Sequence, residues 1–164
     1  KNFDKILNNN QKILEKAIFK SCLIKKEVVE KDEKESNIRK VLNLGHTFAH
    51  AYEATVGYNK GLNHGEAVLL GIMSAVEFSW QINILKKIDH KRIMKHLKKL
   101  NYYNLNKYFR SNDISNIIFY MKNDKKNKDN KINLILLKGL ERPILDKSFE
   151  GNKIRTFLKD LIYR

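Results

Sequence analysis

Proline occurs once in these 164 residues, cysteine once and glycine only seven times. So few prolines leave helices uninterrupted, and a helix-rich chain is predicted. A single cysteine excludes an internal disulfide and the small stapled folds that depend on one. Cys22 is spaced helically with Ile18, Ser21 and Val29, which predicts a small residue buried in a core. No apolar run reaches the roughly 18 residues that a membrane helix needs, so no membrane partner is expected. Lys1 to Asn10 lack the apolar stretch of a secretory signal. Glycine-rich phosphate loops, internal repeats and low-complexity linkers are missing too. A reducing, cytoplasmic setting is the expectation.

Acidic residues are also in short supply: 18 Asp and Glu stand against 33 Lys and Arg, a net charge of +15. Such an excess suits an anionic partner. The lysines are spread over every segment and no nucleic-acid reader motif accompanies them, so nucleic acid is not expected as a partner.

Apolar periodicity outlines the elements. Ile13, Leu14, Ala17, Ile18, Cys22, Val28 and Val29 mark one face of a helix over residues 10–30. Lys31 to Ser36 is a charged break. A second helix is predicted over 37–54, a glycine-bearing loop over 56–63, and a third helix over 64–84 that is apolar nearly all round and therefore central. Asp89 is placed as the N-cap of a helix to Leu100, Asp113 or Ser115 as the cap of one ending near Met121, and Asn152 as the cap of a last helix to Tyr163. Residues 122–131 read as a polar loop or flap. Ile132 to Leu137, Gly139 and Pro143 to Leu145 suggest a small hairpin. The fold class is mainly α, multihelical, with one late β-hairpin.

Chemistry concentrates in residues 39–50. Arg39, Asn43, His46 and His50 are spaced four, three and four apart, so one continuous helix would align them on a single face. Lysines would be expected on a solvated face of so basic a chain, and the line reads better as the wall of a polar cleft. Val41, Leu44, Phe48 and Tyr52 would then face the core. Two histidines four apart can reach one metal, although Thr47 stands where the metalloprotease motif has glutamate. His64 opens the third helix, where the positive end of the macrodipole favours the neutral, metal-binding imidazole; an ordinary helix-start residue is the other reading. Lys25 lies near the apolar stripe of its helix, either snorkelling outward or held inward by an anion. Asp32 and Glu35 are either a solvated charge run or part of the same cleft.

Together these residues resemble a known family. Arg39-x-x-x-Asn43-Leu44-Gly45-His46-Thr47-Phe48-x-His50-Ala51, followed by His64-Gly65-Glu66-Ala67-Val68, is similar to the signature of dehydroquinate synthases. Lys25-x-x-Val28-Val29-x-x-Asp32-Glu33-x-Glu35 matches its lead-in, and Met121-x-x-Asp124-Lys125-Lys126 resembles its lysine-bearing loop. Ala49 departs from the usual glycine, so helix packing there must tolerate a methyl group. The resemblance implies a cyclising, phosphate-eliminating lyase of the shikimate pathway, dependent on NAD and on zinc, or cobalt in its place. The whole chain, 1–164, would be its single helical C-terminal domain, with a Rossmann-like NAD-binding domain outside it and a homodimer as the full-length state. His46 and His64 would ligate the metal, the third ligand being an upstream glutamate. His50 would be catalytic. Arg39 and Asn43 would bind substrate oxygens, Lys25 the substrate carboxylate, and Lys125 would close over the small anionic sugar phosphate. Lys25, Asn43 and Glu35 would join His50 in the catalytic set, Glu35 from the polar shell. The isolated chain is expected to be inactive and to bind zinc weakly. Other sugar phosphate cyclases, iron-dependent alcohol or glycerol dehydrogenases, and a basic nucleic-acid-binding module are the rival readings.

Overall fold

Asn63 and Glu66 start the central helix by a reciprocal exchange. The Asn63 side chain accepts the Glu66 N–H at 3.1 Å, and the Glu66 carboxylate accepts the Asn63 N–H at 3.0 Å. This capping box satisfies two backbone donors that a helix start leaves open. The computed structural model describes residues 2–57, 61–100, 104–124 and 130–163. They fall in two compact units, Lys1–Leu42 and Asn43–Arg164.

The first unit carries α1 (Phe3–Leu7) and α2 (Gln11–Lys31), then a 3-10 segment, Ile38–Asn43, that begins in it. Asn10 caps α2 by accepting the Ile13 N–H at 3.2 Å, close to the start that periodicity predicts. The expected burial of this helix's apolar stripe is not met. No residue of α2 is buried; Ile18 is 55% exposed and Cys22 is exposed rather than a core residue. The unit's other α-helix has five residues, too short to cover a stripe running over several turns.

The second unit holds α3 (His46–Val56), α4 (His64–Gln81), α5 (Lys87–Leu97), α6 (Ile114–Lys122), β1 (Ile132–Gly139), β2 (Arg142–Phe149) and α7 (Gly151–Ile162). As expected, α4 is central: Ala67, Leu70, Met73, Ala75, Val76 and Phe78 are all buried along it. Phe48 and Tyr52 of α3, Ile117 and Met121 of α6, and Ile154, Phe157 and Leu158 of α7 complete the core with it. Each large apolar side chain taken from water contributes about 1.5–3 kcal/mol. Tyr52 and Ser74 are the polar exception. Ser74 Oγ donates to the Leu70 carbonyl at 2.9 Å, so the 2.7 Å contact with Tyr52 is donated by the phenol. Burial pushes the Tyr52 pKa well above its ordinary value, only partly opposed by the Ser74 bond.

The predicted hairpin is present. β1 and β2 pair antiparallel, Ile132 opposite Phe149 and Leu137 opposite Pro143, with two register shifts. Ile132, Leu134 and Leu136 alternate into the core. Two side chains fasten β1 to the helices: Thr47 Oγ1 donates to the Asn133 carbonyl at 3.1 Å, and Ser79 Oγ accepts the Leu137 N–H at 3.1 Å.

Two predicted caps are displaced, and a third stands at its predicted position without the capping bond. Asp89 sits in the first turn of α5, whose cap position is Lys86. Asp113 precedes α6 but its carboxylate accepts the Arg110 N–H at 2.7 Å instead of capping that helix. Glu150, not Asn152, stands at the start of α7. Asp89 and Asn152 lie three and two positions beyond the caps that the helices use, a small shift of the kind to which helix ends are prone. Among the described residues no helix is long and apolar enough to cross a membrane.

Candidate metal and substrate site

The predicted helix over 37–54 is interrupted, which breaks the predicted line of four side chains. Residues 38–43 are 3-10 and Gly45 is left-handed at φ +80°, so α3 begins only at His46. Glycine is required there for two reasons: the backbone angle itself, and a space that the backbone of Gly71 and Ile72 on α4 occupies. Arg39, Asn43, His46 and His50 therefore do not share a helical face. Only His46 and His50 do, one turn apart.

What the packing brings together instead is a triangle of imidazoles. The ring centroids are 5.6 Å apart for His46 and His50, 6.0 Å for His46 and His64, and 6.4 Å for His50 and His64. His64 arrives at the first position of α4, held over α3 by the crossing at Gly45 and Gly71. Two histidines bound to one tetrahedral zinc at about 2.0–2.1 Å place their centroids about 5 Å apart. The 6.0 Å between His46 and His64 is about 1 Å wider than that separation, and imidazole nitrogens are among the donors that a divalent zinc takes. Among the described residues no three His, Cys, Asp or Glu groups close on one cation position, so this pair would need a ligand from elsewhere.

The Nδ1 atoms of both ligand candidates face acceptors. His46 Nδ1 lies 3.4 Å from the Leu44 carbonyl, and His64 Nδ1 lies 3.0 Å from Glu53 Oε2. His50 Nδ1 is 3.7 Å from Asp124 Oδ2. Asn43, His46, Thr47 and His50 line a small cleft with Asp124, Asn133 and Asp146, its volume about 20 Å³. Asp146 reaches it from a left-handed position, φ +51°, within β2.

Several of these neighbours escape the sequence reading. Glu53 could have been found: it follows His46 by seven and His50 by three, the spacing of one helix face. Asp124 was visible only as a member of its loop motif. Asp146 and Asn133 carry no local signal, because the hairpin register alone brings them to the cleft.

Lys25, Glu35 and Arg39 belong to the first unit. Lys25 is exposed on α2. The Arg39 guanidinium donates to the Glu33 carbonyl at 2.6 Å and lies 4.0 Å from Glu35, which is left-handed at φ +53°. Asp32 organises this turn. Its carboxylate accepts the N–H groups of Ser36, Asn37 and Arg39 and the Ser36 hydroxyl, at 2.7 to 3.1 Å. Burial alone would raise its pKa, but the donors from Arg39, Asn37 and Ser36 prevail and hold it down at about 2. Asp32 is thus the fixed centre of a loop rather than a solvated charge. Lys125 lies outside the described residues.

Residues 1–127 match the family model described as 3-dehydroquinate synthase C-terminal. The chain is 48% identical over 160 residues to the 3-dehydroquinate synthase of Pelagibacter ubique (strain HTCC1062), covering 97% of this chain and 44% of that protein. It is 40% identical over 159 residues to that of Dictyoglomus thermophilum (strain ATCC 35947 / DSM 3960 / H-6-12), covering 97% and 43%. It therefore spans less than half the length of these relatives. Among solved structures, a 2-deoxy-scyllo-inosose synthase complexed with carbaglucose-6-phosphate, NAD+ and Co2+ shares the fold at a TM-score of 0.66 and 22% identity, over 83% of this chain and 38% of that one.

Proposed function

The chain belongs to the 3-dehydroquinate synthase family as its C-terminal domain, and from that premise we propose that it supplies the metal- and substrate-holding half of such an enzyme. The reaction is the conversion of 3-deoxy-D-arabino-heptulosonate 7-phosphate to 3-dehydroquinate and phosphate, in a cytoplasmic setting. The observation that carries this reading is the approach of the His46, His50 and His64 rings, borne on two helices, to centroid distances of 5.6, 6.0 and 6.4 Å. The fold neighbour's complex with a sugar phosphate analogue, NAD+ and Co2+ supports the choice of ligands.

His46 and His64 would hold the metal, zinc or cobalt, with a third ligand from the part of the relatives that this chain does not span. When bound, the cation lowers the pKa of a coordinated hydroxyl and polarises a carbonyl. NAD, the hydride carrier, would also bind mainly outside this chain. His50, 50% exposed and near Asp124, would pass a substrate proton to or from an oxygen beside the metal. Asn43 would donate to a substrate oxygen from the same cleft. Lys25, Arg39 and Lys125 would orient the anionic substrate by charge. Glu35 would steady Arg39, its partner within the turn that Asp32 fixes. The full-length protein is proposed to act as a homodimer, with no nucleic-acid partner.

The test is phosphate release from the seven-carbon substrate by the full-length protein carrying this chain. His46→Ala is expected to abolish it. Undiminished release by that variant would overturn the reading.

A further inference from the structure

A carboxylate that the sequence signature leaves without a role faces the first histidine of α4. Glu53 stands on α3, two turns beyond His46, and its side chain is only 13% exposed, whereas that of His64 is 60% exposed. Glu53 Oε2 lies 3.0 Å from His64 Nδ1. An ionised carboxylate can only accept, so the proton of this bond sits on Nδ1. In a neutral ring that leaves the Nε2 lone pair as the one able to bind a metal.

We propose that Glu53 is a positioning residue for the metal, fixing the ring orientation and tautomer of His64 so that Nε2 is presented to the cation. The proposal rests on the reading of His46 and His64 as ligands. Three features favour it over a plain surface ion pair. An exposed pair is weak and mobile, but the Glu53 side chain is held in a nearly buried position on the same helix that bears His46. One rigid rod thus carries a ligand and the orienter of the other ligand, so the two imidazoles are set relative to each other. The start of α4 is itself pinned by the Asn63 and Glu66 capping box, which leaves the His64 side-chain torsions as the freedom that Glu53 removes. Carboxylate partners of this kind raise ligand basicity, and their loss typically weakens metal affinity about 10- to 100-fold.

The experiment uses the full-length protein carrying this chain, with 15N-labelled histidine, and has two readouts. Without metal, long-range 1H–15N spectra are expected to show His64 protonated at Nδ1 in the wild type. In Glu53→Ala and Glu53→Met the proton is expected to move toward Nε2; the Met side chain fills the space should Ala disturb folding. Glu53→Gln, whose amide oxygen still accepts, is expected to keep the wild-type tautomer. With Co2+ as the probe, visible absorption titrations are expected to show affinity reduced about 10- to 100-fold in the Ala and Met variants and nearly restored in Gln. A merely structural ion pair would lower the melting temperature while leaving tautomer and affinity alone, and that result overturns the proposal. If His46→Ala and His64→Ala bind Co2+ as the wild type does, the metal reading falls and takes the proposal with it. If those two lose Co2+ while Glu53→Ala and Glu53→Met do not, the metal reading stands and the role of Glu53 is refuted.

Discussion

The backbones of Gly45 and Gly71 meet with no side chain between them. A Cβ on Gly71 would stand 2.2 Å from the Gly45 carbonyl oxygen, and one on Gly45 would stand 2.3 Å from the Ile72 nitrogen. The approach sets the crossing of α3 and α4, and therefore the distance between the histidines that the two helices carry. Ala49, one turn along α3, is fully buried beside this crossing, so a methyl group is accommodated there but not at either glycine.

Gly71→Ala should therefore force the helices apart. A loss of about 3 kcal/mol or more is expected from overpacking against rigid backbone. Urea unfolding of the variant measures it. A loss under about 1 kcal/mol would contradict the crossing described.

Tyr52→Phe removes a buried phenol whose hydrogen is given to Ser74 Oγ. Ser74 keeps its own bond to Leu70, so only one acceptor is left unmatched. The expected cost is about 1 kcal/mol, visible as a shift of the denaturation midpoint with an unchanged slope. A change of slope would point to altered compactness instead.

The Asp32 carboxyl has a folded pKa of about 2 against an ordinary 3.8. A depressed pKa means that the ionised form favours the folded state. Its contribution is fully present above the ordinary value and is lost as the pH falls from 3.8 through about 2. Amide exchange at Ser36, Asn37 and Arg39 should therefore be slow at neutral pH relative to Asp32→Ala. After correction for intrinsic rates, wild type and variant should converge once the pH is below about 2. Persistent protection in the variant would refute the hub.

The two histidines of α3 should separate by role. In the full-length protein, His46→Ala is expected to lose both Co2+ binding and phosphate release. His50→Ala is expected to bind Co2+ nearly as the wild type does while phosphate release drops by about 100-fold or more, the range for removing an acid–base group. Equal loss of metal in the two variants would assign His50 to the cation as well.

Much of this architecture was legible along the chain. The apolar period of residues 64–84 identified the central helix, and the alternation after Ile132 identified the hairpin. His46, Asn43, His50 and His64 were singled out by spacing and resemblance. The single line from Arg39 to His50 was not real, because periodicity cannot see that Gly45 takes a positive φ. The buried stripe of α2 failed for a different reason: an amphipathic pattern says which face could be covered, not what covers it. Sequence leaves Asp32 open between a solvated charge run and the wall of the cleft, since a carboxylate's three backbone donors appear only once the turn has closed.

The sequence by itself determined the family, the helical class and the residue types able to hold a metal and an anion, because local periods and linear motifs are written in neighbouring positions. Tertiary structure alone decided that Glu53 faces His64, that Asp146 and Asn133 reach the cleft of His50, and that α3 starts at His46. Each of those facts depends on where one backbone stops another, and that distance is set by packing between segments far apart in the chain.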